Sequence, residues 1–154
     1  MLEKIYCKKD EDFVEGLTIV RLNGKCGFID KTGKGIGPYK YDYALGFSEG
    51  LALVRLNEKW GLINYQGIEV VPLIFNNIWR FRTATIVKLG NKYGLVNNNG
   101  EYILPCEYDE INMFHERIIA EKSDTKYEFN LSGELIKILN DTDLSIFSFF
   151  NCEV

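Results

Sequence analysis

Few residues of this 154-residue chain are spaced as chemistry requires. The run Gly33-Lys34-Gly35-Ile36-Gly37 has the small residues and the cation of a phosphate-wrapping loop. It lacks the Gly-x-x-x-x-Gly-Lys-Ser/Thr spacing that brings the lysine and a hydroxyl to one phosphate. Its counterparts around Gly67 and Gly100 stand in ordinary turn sequence, so a turn variant is expected. Asp141-x-Asp143 offers two carboxylates, short of the ligand set of a calcium loop. His115 is the one histidine, and no serine or cysteine nucleophile stands near it in a recognisable motif. Cys7, Cys26, Cys106 and Cys152 are scattered without a Cys-x-x-Cys pair, which points to reduced thiols rather than a zinc site or a disulfide framework. No catalytic residue, cofactor or metal is expected.

Recognition chemistry is better represented. Trp79, Arg80 and Arg82 surround Phe81, and a large aromatic beside two guanidinium groups has the composition of an interface hot spot. A Trp79 covered by the N-terminal segment is the competing reading. Near the C-terminus Ile146, Phe147, Phe149 and Phe150 carry more apolar surface than water tolerates, so they either cap the fold as a strand or dock another chain. The partner-binding candidates are thus Trp79, Arg80, Arg82, Phe147, Phe149 and Phe150, for an unidentified protein or for self-association. A small-ligand or glycan binder is the alternative, with Trp79 and Tyr65 as stacking platforms.

The elements that must position these residues repeat. Gly24-Lys25-Cys26-Gly27, Glu58-Lys59-Trp60-Gly61 and Asn91-Lys92-Tyr93-Gly94 open three similar stretches, which close at Pro38, Pro72 and Pro105. Phe13, Phe47, Phe81 and Phe114 begin successive units at spacings of 34, 34 and 33 residues, and a fixed period in this range marks a repeat architecture. Within a unit, β-branched runs such as Thr18 to Leu22, Ala52 to Leu56 and Thr85 to Leu89 are bounded by Asn and Gly, which is strand and hairpin chemistry. No stretch carries a sustained 3.6-residue period. The expected fold is all-β: about four three-stranded antiparallel meanders with a 33–34-residue period, an open solenoid-like array or a partial propeller. Residues 1–12 form an N-terminal strand or cap, and 13–136 form the array (13–46, 47–80, 81–113 and a degenerate 114–136). Residues 137–154 supply a C-terminal capping strand. In the degenerate unit Tyr127 is expected in the slot of Tyr93, with Glu128 replacing the following glycine, and no proline follows Gly133.

Each recurrent residue receives a structural task. Trp60, Tyr93 and Tyr127 are expected to form an aromatic spine, with Cys26 as its small member. Gly27, Gly61 and Gly94 are expected to leave room for the next repeat or to seat a bulge. Gly67 needs only turn geometry. Arg21, Arg55 and Lys88 are expected to pair with the slot of Asp42, Asn76 and Asp109, setting register more than stability.

The motif Lys59-Trp60-Gly61-Leu62-Ile63-Asn64 with Gly67 and Val71-Pro72, joined to Tyr41-Asp42, Tyr108-Asp109 and Phe47-Ser48-Glu49-Gly50-Leu51-Ala52, resembles the bacterial WG (KWG) repeat family over residues 13–136. Cys26 in the aromatic slot, Ile36-Gly37 before Pro38 and the eroded fourth unit depart from the pattern. The resemblance implies β-rich repeat arrays, often parts of larger or exported proteins, with binding roles and no shared catalytic residues.

Composition sets outer bounds. A hydrophobic share of 46% with 26% charged residues is globular. The formal net charge of −4 opposes nucleic acid or an anionic membrane as the main partner. The N-terminus has no apolar signal-peptide core, so a cytoplasmic location is expected. Truncation after Asn140 should give a destabilised, self-associating protein by light scattering and thermal melting. A monomer with an unchanged melting temperature would make the tail a docking surface instead.

Overall fold

The structure, a computed structural model, describes residues 13–140. The N-terminal cap and the tail with Phe147, Phe149 and Phe150 lie outside the described residues. Alternation of apolar and polar side chains makes fifteen strands and no helix among these residues, arranged as four antiparallel sheets in chain order. The first holds β1 (Leu17–Leu22), β2 (Lys25–Asp30) and β3 (Gly35–Tyr41). The second holds β4 (Tyr43–Ala44), β5 (Leu51–Leu56), β6 (Lys59–Asn64) and β7 (Glu69–Phe75). The third holds β8 (Asn77–Arg80), β9 (Ala84–Leu89), β10 (Lys92–Asn97) and β11 (Tyr102–Tyr108). The fourth holds β12 (Glu110–Met113), β13 (Ile118–Lys122), β14 (Thr125–Phe129) and β15 (Leu135–Leu139). The expected three-stranded meander is the core of every sheet, and sheets two to four gain a short leading strand.

That leading strand comes from a one-residue link. Asp42, Asn76 and Asp109 each join the last strand of one sheet to the first of the next. Each uses its side chain to hold the following hairpin: Asp42 accepts from the Asn57 amide at 2.8 Å, Asn76 from Gly90 at 2.8 Å and Asp109 from Ser123 at 2.9 Å. Asp42 also pairs with Lys25 and Asp109 with Lys92. The basic partners are therefore the lysines that open β2 and β10, not Arg21 or Lys88. Arg55 and Lys88 instead lie over the rings of Trp60 and Tyr93, at 5.5 and 5.1 Å from the ring centroids.

Consecutive sheets stack face to face, and each interface is its own core. Phe28, Cys26 and Tyr41 of the first sheet meet Ala52, Val54 and Ile63 of the second. Leu62, Val71 and Phe75 meet Ile78, Val87 and Val96 of the third. Ile86, Leu95 and Leu104 meet Ile111, Ala120 and Phe129 of the fourth. Every inner sheet thus has a rear face toward its predecessor and a forward face toward its successor, which is how repeats too thin to bury a core alone become stable. Trp60 and Tyr93 are only half-buried at the margin of these cores. The fully buried aromatics are Phe28, Tyr41, Phe47 and Phe75.

The second turn is built identically four times. Asp30, Asn64, Asn97 and Asn130 each accept, through Oδ1, the amides two and four residues on, at 2.9–3.0 Å. These side chains replace a backbone turn partner.

Gly61 takes the second of its two expected roles and seats a bulge, whereas Gly67 does more than shape a turn. A Cβ on Gly61 would meet the Val71 carbonyl oxygen of its own sheet at 2.6 Å, because β7 bulges across it. It is the turn glycine that meets a neighbour: a Cβ on Gly67 would lie 2.6 Å from Gly37 Cα, and one on Gly100 only 2.0 Å from the Val70 carbonyl oxygen. Gly100→Ala should therefore lower the melting temperature well beyond Gly90→Ala. Both glycines have positive φ, but the space around Gly90 is open. Equal losses in thermal melts would remove the close-approach argument.

Candidate functional site

The second and third sheets enclose an open groove of about 700 Å³ beside β8. Leu45, Leu53 and Ile78 line it, with Trp79, Phe81 and Arg82 along it. Trp79 and Phe81 are 40% and 41% exposed. The three residues expected from the sequence as a recognition cluster do line this one groove, but their tasks differ.

Arg80 is committed to the fold. Its Nη1 donates to the carbonyl oxygens of Ser48 and Leu51, both at 3.0 Å, and so holds the bend between β4 and β5. Burial pushes its guanidinium below the usual arginine range, opposed by Glu15 and Glu49, and its Nε is buried without a hydrogen-bond partner. Trp79 leans on Tyr93, with ring centroids 5.7 Å apart and planes at 40°. Its covering by the N-terminal segment concerns residues outside those described. Arg82 is the exposed member: 85% of its side chain is open to solvent, and Nε lies 3.3 Å from Glu49.

The same bend is gripped from the other side by Glu15, which the sequence reading missed. Its carboxylate accepts the amides of Glu49 and Gly50 at 2.8 and 3.1 Å and the Tyr65 hydroxyl at 2.8 Å. The bend at residues 48–51, a wall of the groove, is therefore fixed by an acid that precedes the first sheet and an arginine from the third sheet. The repeated Phe-x-Glu-Gly in the first two units was the available signal, since Glu15 and Glu49 share a slot and each reaches toward the next bend. Tyr65, the second of the two expected glycan platforms, also stacks on Phe47 at 5.2 Å and 22° and stays half-exposed.

Among the described residues, no group of three or more His, Cys, Asp or Glu side chains is arranged to hold a metal. Gly33-Lys34-Gly35 is a turn in which Lys34 N donates to Asp30. His115 lies on the fourth sheet's opening bend with Phe114 and Arg117, away from the groove. No described helix is long and apolar enough to cross a membrane.

The Tyr65 hydroxyl, with the Gly50 and Glu49 amides, holds the Glu15 carboxyl below its ordinary range despite some desolvation. A depressed carboxylate contributes stability above its unfolded value, near 4.3, which is lost as pH falls through the lower folded value. Glu15→Gln should therefore lower the melting temperature at neutral pH, with the difference from the native chain closing as pH falls below the ordinary carboxylate range and through the lowered folded value. A difference independent of pH, in melts across this range, would show that the charge of Glu15 is not what holds the bend.

The family model described as WG containing repeat matches residues 11–26, 27–60, 60–93 and 93–116. No curated protein matches the chain. Among solved structures, one titled "KlHsv2 with loop 6CD replaced by a Gly-Ser linker" is similar at 8% identity and a TM-score of 0.43, over 80% of this chain and 48% of that one. Another, "AfRom2 CNH domain", is similar at 12% identity and a TM-score of 0.33, over 80% of this chain and 50% of that one. The chain spans about half the length of each.

Proposed function

The chain belongs to the WG-repeat family, and on that premise we propose that it is a non-catalytic module that binds a protein partner through the groove between its second and third sheets. The observation that supports this reading is the pair of half-exposed aromatics, Trp79 and Phe81, flanking a highly exposed arginine on an open apolar groove. Large aromatic side chains and arginine dominate many interfaces, the aromatics because they cover much area with few rotatable bonds and arginine because its planar fork makes several directed hydrogen bonds. The groove also falls where the repeat pattern breaks, since Trp79 takes a slot held by Leu45 and Asn112 in the neighbouring sheets. Catalysis is poorly served: the recurrent Asp and Asn side chains are spent on turns and links, and no nucleophile–base pair converges on the groove.

A glycan reading would need several aligned aromatic platforms, and Tyr65 is engaged by Phe47 and Glu15. The protein reading is tested by affinity capture with mass spectrometry on the native chain and on Arg82→Gln, which removes one exposed ion pair and should leave the melting temperature nearly unchanged. Proteins recovered by the native chain should be depleted from the variant. Identical recovery would overturn the reading.

A further inference from the structure

We infer that the groove's occupant is an extended peptide segment carrying an Asp or Glu side chain next to an apolar one, the carboxylate seated on Arg82 and the apolar side chain between Trp79 and Phe81. This deepens the proposed function and rests on it.

The charges beside the groove are not equivalent. Arg80 spends its Nη1 on two backbone carbonyls, and the carboxylate of Glu15 is spent on two amides and a hydroxyl. Arg82 is different. Its one ionic partner among the described residues, Glu49, approaches Nε at 3.3 Å. The two terminal amino groups of a guanidinium form a planar fork that matches a carboxylate, and an arginine held at Nε keeps that fork. An incoming acid therefore need not displace Glu49. A basic segment would instead meet the exposed guanidinium of Arg82 as a like charge, the charge of Arg80 being offset by Glu15 and Glu49.

Recognition by side chains, rather than by adding a strand to β8, follows from Asn77. β8 is the edge of the third sheet, but the Ile78 amide already donates to Asn77 Oδ1 at 2.9 Å. That removes one of the few backbone groups a four-residue strand could offer an added strand. The net charge of −4 disfavours long-range attraction of an acidic partner, so the preference is set by contact and not by steering.

The test is a random-peptide display library panned against the native chain, Arg82→Glu and Phe81→Ser, each checked by thermal melting. Peptides that need Phe81 should be enriched in Asp or Glu beside apolar residues. They should bind Arg82→Glu about tenfold or more weakly, the loss expected for one charge-assisted pair. Phe81-dependent peptides without acidic enrichment, or with equal affinity for Arg82→Glu, would overturn the acidic preference and leave the groove standing as a protein site. Recovery of no Phe81-dependent peptide would overturn the inference together with the groove.

Discussion

The array depends on a backbone that must be bent where it leaves each sheet. In the second sheet Trp60 pairs with Phe75 and Leu62 with Val71, so the segment around Pro72 has to loop over the single residue Gly61. In the third sheet Tyr93 pairs with Tyr108 and Leu95 with Leu104, and the segment around Pro105 crosses Gly94. A bulge raises the local twist and bends its strand. Only a residue without Cβ can lie under it, since the carbonyl oxygens of Val71 and Leu104 come within 2.6–3.0 Å of where that atom would be. Proline fits the bulged edge because it has no amide to leave unpaired. The bend then lets one residue, Asp42, Asn76 or Asp109, carry the chain into the next sheet. The glycine and the proline of each bulge, Gly61 with Pro72 and Gly94 with Pro105, are two halves of one mechanical device.

The fourth sheet supports this account by losing every part together. Its register places Ala120 opposite Tyr127, as Val87 stands opposite Gly94, so Tyr127 occupies the glycine slot and not the aromatic one. Ile138 replaces the proline, and β14 and β15 pair without a bulge at that point. Lys126 takes the aromatic slot and pairs with Glu121 at 3.5 Å. Glu128 takes the slot of Leu95, buried, with Arg117 at 3.3 Å and Lys137 at 4.0 Å. A forward face that is aliphatic in the inner sheets has become charged.

Much of the scaffold was legible because it rests on local rules read in triplicate. Alternation, turn chemistry and period gave the all-β array, and Asp30, Asn64 and Asn97 stand where their turns need them. What could not be read is which neighbour each residue meets. Gly61 and Gly67 both recur through the first three units, and sequence does not say which of the two meets the neighbouring sheet. The one-residue slip at Tyr127 has the same origin: a strand's two faces differ by one position, and a degenerate repeat lacks the glycine that fixes the count. Glu15 was invisible as a wall-builder of the groove because its partners are backbone amides 34 and 35 residues away, and amides have no signature in sequence.

A periodic array has a difficulty as a binding protein, since equal units offer equal surfaces and no single address. The chain resolves this through residues that break the period without breaking the stack. The position of Trp79 is leucine in the second sheet and asparagine in the fourth, and that of Arg80 is glycine and methionine. Neither substitution touches the bulge, the link or the turn, so the neighbouring sheets stay in place. Arg80 then converts a generic bend into a fixed wall by holding two of its carbonyls, and the shortened third bend leaves Phe81 more exposed than the buried Phe47 one unit earlier. Where a repeat is satisfied, its side chains face one another. At the groove the same positions face outward, and what they present is an aromatic pair and a guanidinium that stays largely open to solvent beside its carboxylate partner.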